Sequence, residues 1–233
     1  MIQAWLCDSL ERVFPSSRPK RSVLRLDVAR GERFSFQVAV IIDANSLLEV
    51  RVAADSGIEA AVRRVGYVPL AQRSIQTPPD EIEGYDVLPG WVPDPLFENK
   101  KGCIPPTSAT AWWISCKVNP GCRPGRKRVR VTLFPEKCHG PKKDLAAEVR
   151  VHPLRIQPRR NFDVSHYFYA DALCDWYKVE PWSEGFWKIV QPYMRNLVEH
   201  CQNMIYVPVF TPPLDGVKRP TQLLGVRRVG RNR

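Results

Sequence analysis

Leu24-Arg25-Leu26-Asp27-Val28, a turn at Ala29-Arg30-Gly31-Glu32, and Phe34-Ser35-Phe36-Gln37-Val38-Ala39-Val40 place apolar side chains at every second position. A period of two puts Phe34, Phe36, Val38 and Val40 on one face of a strand, so the stretch reads as a hairpin with one buried face. The same pattern continues outward from it. Leu48, Val50 and Val52 alternate, and Val65-Gly66-Tyr67-Val68 reads as a short strand. Trp112 to Val118, the turn Asn119-Pro120-Gly121, and Val129, Val131 and Leu133 read as a second hairpin, with Arg128 and Arg130 outward. Glu148-Val149-Arg150-Val151 closes the series. Seven or so short strands with turn signals between them predict a mostly β chain that begins with an antiparallel β-sandwich.

Composition fits that reading. Proline is the outlier, 22 of 233 residues, about 9% against an ordinary ~5%. Such a chain has little room for long helices. The prolines concentrate in residues 76–107, which read as an irregular loop that is functional or docks on a neighbour. Between Trp112 and Trp113, strand geometry sends one side chain to the core and the other to the opposite face.

Near residue 158 the pattern changes. Ser165-His166-Tyr167-Phe168-Tyr169 reads as an aromatic strand. Ser183 offers an N-cap with Glu184 in the first turn, and Phe186, Ile189, Val190, Tyr193, Leu197 and Cys201 recur at helical spacing. Pro192 sits inside that helix and kinks it by removing the bond to Lys188, and Asn203 reads as its C′ residue. Met204 to Phe210 is a second buried strand. Strand, helix, strand makes a βαβ unit with parallel strands. The expected organisation is a sandwich over 1–157 and, over 158–233, a truncated βαβ opening unit of a (β/α)₈ barrel. Parallel strands need both faces covered, so an open strand edge there predicts self-association.

The net charge of +11 comes from 35 basic and 24 acidic residues. Lys117–Arg130 and Val217–Arg233 each hold six basic residues and no acid, which more than accounts for the surplus. Two local clusters argue against a phosphate-tracking face, so no nucleic-acid partner is expected. Seven cysteines without a CxxC spacing predict buried, reduced thiols and no metal site. No cofactor is expected. The opening Met1-Ile2-Gln3-Ala4-Trp5 lacks a basic n-region, and no apolar run reaches the ~18 residues of a membrane span. The expected product is cytoplasmic with no membrane partner.

The opening Ala4-Trp5-Leu6-Cys7-Asp8-Ser9-Leu10-Glu11-Arg12-Val13-Phe14-Pro15, followed by Ala29 to Gln37, resembles the N-terminal domain of glycoside hydrolase family 123-like proteins. Tyr169-Ala170-Asp171, then Val179-Glu180-Pro181-Trp182-Ser183-Glu184, Leu197-Val198-Glu199-His200, Gln202-Asn203 and Phe210-Thr211-Pro212-Pro213-Leu214-Asp215 resemble the start of that family's catalytic domain. The resemblance covers most of residues 2–224. It implies a sandwich followed by a (β/α)₈ barrel acting on N-acetylhexosaminides, where a neighbouring Asp-Glu pair works with the substrate's acetamido group. The only Asp-Glu step here is Asp80-Glu81, in the proline-rich segment before the barrel begins. That family pair is therefore absent, no catalytic residue is assigned, and whether the chain is an enzyme stays open.

In (β/α)₈ barrels the site is built where strands end at their C-terminal side. Asp171, Asp175 and Trp176 follow the first barrel strand, and Thr211 and Asp215 follow the second. Carboxylates can accept from sugar hydroxyls, and an aromatic face suits the sugar's apolar side. These five are the candidate substrate-binding residues, set against the plainer roles of turn residues for Asp175 and Asp215 and of packing for Trp176. The expected function is the N-terminal portion of a glycoside hydrolase-like protein acting on β-N-acetylgalactosaminide-type glycans, inactive as this chain. A non-catalytic carbohydrate-binding or scaffolding sandwich is the alternative.

Overall fold

Twelve segments fold into strands in a computed structural model that describes residues 2–20, 23–136, 141–157, 162–168 and 170–206. The chain divides into two units, Met1–Gln157 and Pro158–Arg233. In the first unit one sheet holds β1 (Ile2–Asp8), β3 (Arg33–Ile42), β8 (Thr110–Val118), β5 (Ile58–Leu70) and β6 (Gly90–Phe97), in that order. The other holds β2 (Arg25–Arg30), β10 (Lys143–Arg155), β9 (Gly125–Pro135), β4 (Ser46–Ala54) and β7 (Lys101–Ile104). All pairs are antiparallel except β2 with β10, which is parallel.

The inner faces meet in one apolar core. Phe36, Val38, Val129, Val131 and Leu133 are fully buried in it, and Phe34 packs against its edge. Trp112 lies in this core, while its neighbour Trp113 packs on the opposite face of the first sheet. There a smaller core gathers Trp5, Val13, Ala39, Val65 and Ala111 beneath the segment that follows β1. Gln37 pins that segment, its Nε2 donating to the Asp8 and Glu11 carbonyls at 3.1 and 2.7 Å. The Tyr67 hydroxyl donates to the Val13 carbonyl at 2.9 Å, and burial pushes its pKa up.

Both expected hairpins are corrected. β2 and β3 lie in different sheets, and so do β8 and β9. Each turn is an arch that carries the chain across the core. Alternation reports which side chains face inward, and an arch and a hairpin satisfy it equally well. The two arches lie together: Gly31 N donates to Val118 O at 3.1 Å and Val118 N donates to Glu32 O at 2.8 Å.

Residues 76–107 are not one irregular loop either. They contain β6 and β7, the edge strands of the two sheets. Pro93 and Pro95 fit β6 because an edge strand can lack ladder donors on its open side.

The cysteines also need correction. Cys7, Cys116, Cys122 and Cys174 are buried, but Cys103 and Cys201 are exposed; Cys138 lies outside the described residues. Burial pushes the Cys7 and Cys116 thiols up to about 12. The thiolate is the nucleophile. At neutral pH, iodoacetamide should label Cys103 and Cys201 within minutes and leave Cys7 and Cys116 intact until the fold opens. Peptide mapping by mass spectrometry checks this order, and early labelling of Cys116 would contradict the packing. Among the described residues, no helix is long and apolar enough to cross a membrane.

Candidate functional site

The second unit opens with β11 (Ser165–Tyr167), which pairs in parallel with β12 (Met204–Tyr206). Asn203 aligns the two strands. Its Oδ1 accepts from Val164 N at 2.8 Å, and its Nδ2 donates to Asp163 Oδ1 at 3.1 Å. It is therefore not the helix C′ residue. The expected second strand to Phe210 is described only as far as Tyr206.

Between the strands stand two helices where one was expected, α1 (Ala170–Tyr177) and α2 (Glu184–Glu199). Ala170 and Cys174 of α1 bury against Phe186 and Val190 of α2, with Phe168, Leu173, Val179 and Met194 around them. Ser183 caps α2 as expected, its Oγ accepting from Phe186 N at 3.1 Å, and Glu184 lies in the first turn. Favourable charge at a helix N-terminus accounts for an acid there.

Both helices end on a non-glycine residue in the left-handed region, Lys178 at φ 55° and Cys201 at φ 65°. After α1, Val179 N donates to Cys174 O at 3.2 Å. After α2, Gln202 N donates to Leu197 O and Cys201 N to Val198 O, both at 3.0 Å. These are Schellman ends, which favour glycine at that position. With Lys and Cys there, the stop carries no sequence signal.

The candidate residues now have places. Asp171, Asp175 and Trp176 are helical, not turn residues, and α1 carries all three directly after β11. Asp171 and Asp175 lie four positions apart along α1. Asp175 is exposed, and Trp176 is 78% exposed. The structure therefore brings three of the five onto one short helix. Thr211 and Asp215 lie outside the described residues.

Aromatic neighbours absent from the sequence-based set surround this helix pair. The Tyr177 and Tyr193 hydroxyls meet at 3.0 Å, joining α1 to α2. That hydrogen bond raises the pKa of Tyr193. Trp182, at φ 68°, packs its ring 5.6 Å from Phe186 and 5.9 Å from Trp187. Trp182 and Trp187 are each nearly half exposed. Their spacing across the Ser183 cap was the available signal. Trp187 falls on the outward side of the helical pattern that Phe186 and Val190 define.

The arrangement offers hydrogen-bond acceptors and open aromatic faces. Asp80 and Glu81, the sole Asp-Glu step, form an exposed single turn in the first unit, where Glu81 N donates to Pro78 O at 3.1 Å. Among the described residues, no group of three or more His, Cys, Asp or Glu side chains is gathered to hold a metal ion.

Residues 167–230 match the family model of the Glycoside hydrolase 123 catalytic domain. A family 123 glycoside hydrolase from Clostridium perfringens, studied for glycolipid glycan hydrolysis, shares the fold at a TM-score of 0.70 and 8% identity. The likeness covers 89% of this chain, which spans only 38% of that enzyme's chain. On these two findings, residues 167–230 are similar to the family 123 catalytic domain, and the chain shares its fold with part of a family 123 glycoside hydrolase. Fainter likenesses run to Escherichia coli alpha-2-macroglobulin (TM-score 0.37, 12% identity, 65% of this chain and 7% of that one). Another runs to a FixG-related protein from Vibrio parahaemolyticus (TM-score 0.33, 6% identity, 64% and 95%). No curated protein sequence matches the chain.

Proposed function

We propose that this chain is the N-terminal portion of a glycoside hydrolase acting on β-N-acetylgalactosaminide-type glycans, and that as it stands it binds glycan without cleaving it. The observation that carries the reading is the family match over residues 167–230, which takes in α1 with its exposed acid and indole. In this reading β11 and β12 open a (β/α)₈ barrel, and residues 171–176 lie at the end of a barrel strand where such sites are built. Asp171 and Asp175 accept from sugar hydroxyls, and Trp176 offers a flat face to the sugar ring. Self-association through the open edge of the β11–β12 sheet belongs to the same reading.

Hydrolysis of a glycosidic bond needs one carboxyl group to protonate the leaving oxygen and a second group to stabilise the cationic centre. Asp80-Glu81 supplies neither in this reading, because it belongs to the sandwich. Purified protein should release no chromophore from a nitrophenyl β-N-acetylgalactosaminide above the buffer blank. Release that disappears in an Asp175→Asn variant would overturn the proposal of inactivity.

A further inference from the structure

On the outer face of the second sheet, β2, β10 and β9 lie side by side with their charges in register. Glu148 stands between Arg25 and Arg128, and Arg150 stands between Asp27 and Arg126. The acids of this face are already engaged. Glu148 Oε2 accepts from Arg25 Nε at 3.2 Å, and Asp55 Oδ1 accepts from Arg130 Nη2 at 3.0 Å. Asp27 Oδ1 lies 2.6 Å from His152 Nε2. Among the described residues, Arg126, Arg128 and Arg150 are left without a carboxylate partner. All three are exposed and line one open groove of about 730 Å³.

Arg126 and Arg150 are direct cross-strand partners, which sets their Cβ atoms roughly 5 Å apart. Like charges placed opposite one another cost stability. An anion seated between them removes that cost, and two guanidinium forks can grip it bidentately. A sulfate ester has three free oxygens to share between two forks, where a carboxylate has two.

We propose that this groove binds a sulfated glycan chain, with one sulfate held between Arg126 and Arg150 and Arg128 next along the strand. The choice of a glycan rests on the family reading above, while the site itself rests on the register of the sheet. Among the described residues, no aromatic side chain lines the groove to stack nucleic-acid bases. Its apolar members face inward, Val149 being 1% exposed and Leu26 packed on the core, so nothing is offered to a lipid interface.

The test uses the full chain with chondroitin sulfate and unsulfated chondroitin, titrated at about 50 mM salt and again at about 200 mM. The sulfated chain should bind at least roughly tenfold tighter. Arg126→Ser with Arg150→Ser should remove that advantage and lower the salt slope by about two. The charge-matched control Arg18→Ser with Lys100→Ser should leave both unchanged. If the serine variant loses its circular-dichroism melt, Arg126→Lys with Arg150→Lys takes its place, and should keep the slope but lose several-fold in affinity. Equal losses in control and variant, equal binding of the two chondroitins, or tighter binding of oligo(dT) would each overturn the proposal. Titration with a neutral β-N-acetylgalactosaminide separates the two readings. Neutral binding without sulfate preference sinks the groove alone, and sulfate preference without neutral binding sinks the barrel site alone.

Discussion

Phe36→Ala should cost the first unit about 3–5 kcal/mol of stability. Phe36 is fully buried on β3 and packs between the two sheets. Its strand is enclosed on both sides by β1 and β8, with Phe36 opposite Asp8 and Ile114. Neighbours held in two ladders cannot close onto the vacated space, so the change pays for lost burial and for a residual cavity together. Total stability for a domain is about 5–15 kcal/mol, so the variant should sit near the edge of folding. Its melting temperature should fall by roughly 6–20 °C. A shift under about 2 °C would mean that β3 is not the centre of the sandwich.

The second large effect is expected at the turn between β4 and β5. Gly57 has φ +90°, and a Cβ built there would lie 2.5 Å from Cys122 Sγ and 3.0 Å from Cys122 Cβ. Its carbonyl also accepts from Asn119 N at 2.9 Å, which ties the turn to the arch between β8 and β9. Gly57→Ala therefore combines left-handed strain of about 1–2 kcal/mol with overpacking of about 1–3 kcal/mol. Adding Cys122→Gly should recover the overpacking share and leave the strain. A double-mutant cycle read by urea denaturation isolates the coupling. Zero coupling would show that the turn does not pack on Cys122.

How much of this was legible depends on which residues carry which signal. The inward faces of β3, β9 and β10 were readable because a shift by one residue would expose Phe36, Val131 and Val149 together. The partners of those strands were not. Gly31 and the Asn119-Pro120-Gly121 turn are compatible with folding back or crossing over, and only the second sheet's demand for Val28 and Val129 decides for crossing. β6 was hidden because Pro93 and Pro95 argue against a strand everywhere except at an edge.

In the second unit, α2 was readable from the Ser183 cap and the Phe186–Val190 spacing. α1 was not, because eight residues offer barely two turns of periodicity. The three described members of the candidate site consequently sit on a helix rather than in a loop. Trp182 and Trp187 escaped notice because their exposure reflects how α1 and α2 pack, which the pattern of one helix does not contain.

The central claim is that α1 presents a sugar-binding face. Titration calorimetry of the intact chain and its Trp176→Ala variant against a β-N-acetylgalactosaminide tests it most directly. Trp176 is 78% exposed, so its removal should leave the thermal melt unchanged. Covering one indole face with a sugar ring, at about 25 cal/mol per Å² of apolar surface, is worth on the order of 1 kcal/mol. The wild-type chain should bind, and the variant should bind roughly tenfold more weakly. Equal affinity in the two proteins, or no binding by the wild type, would contradict the account.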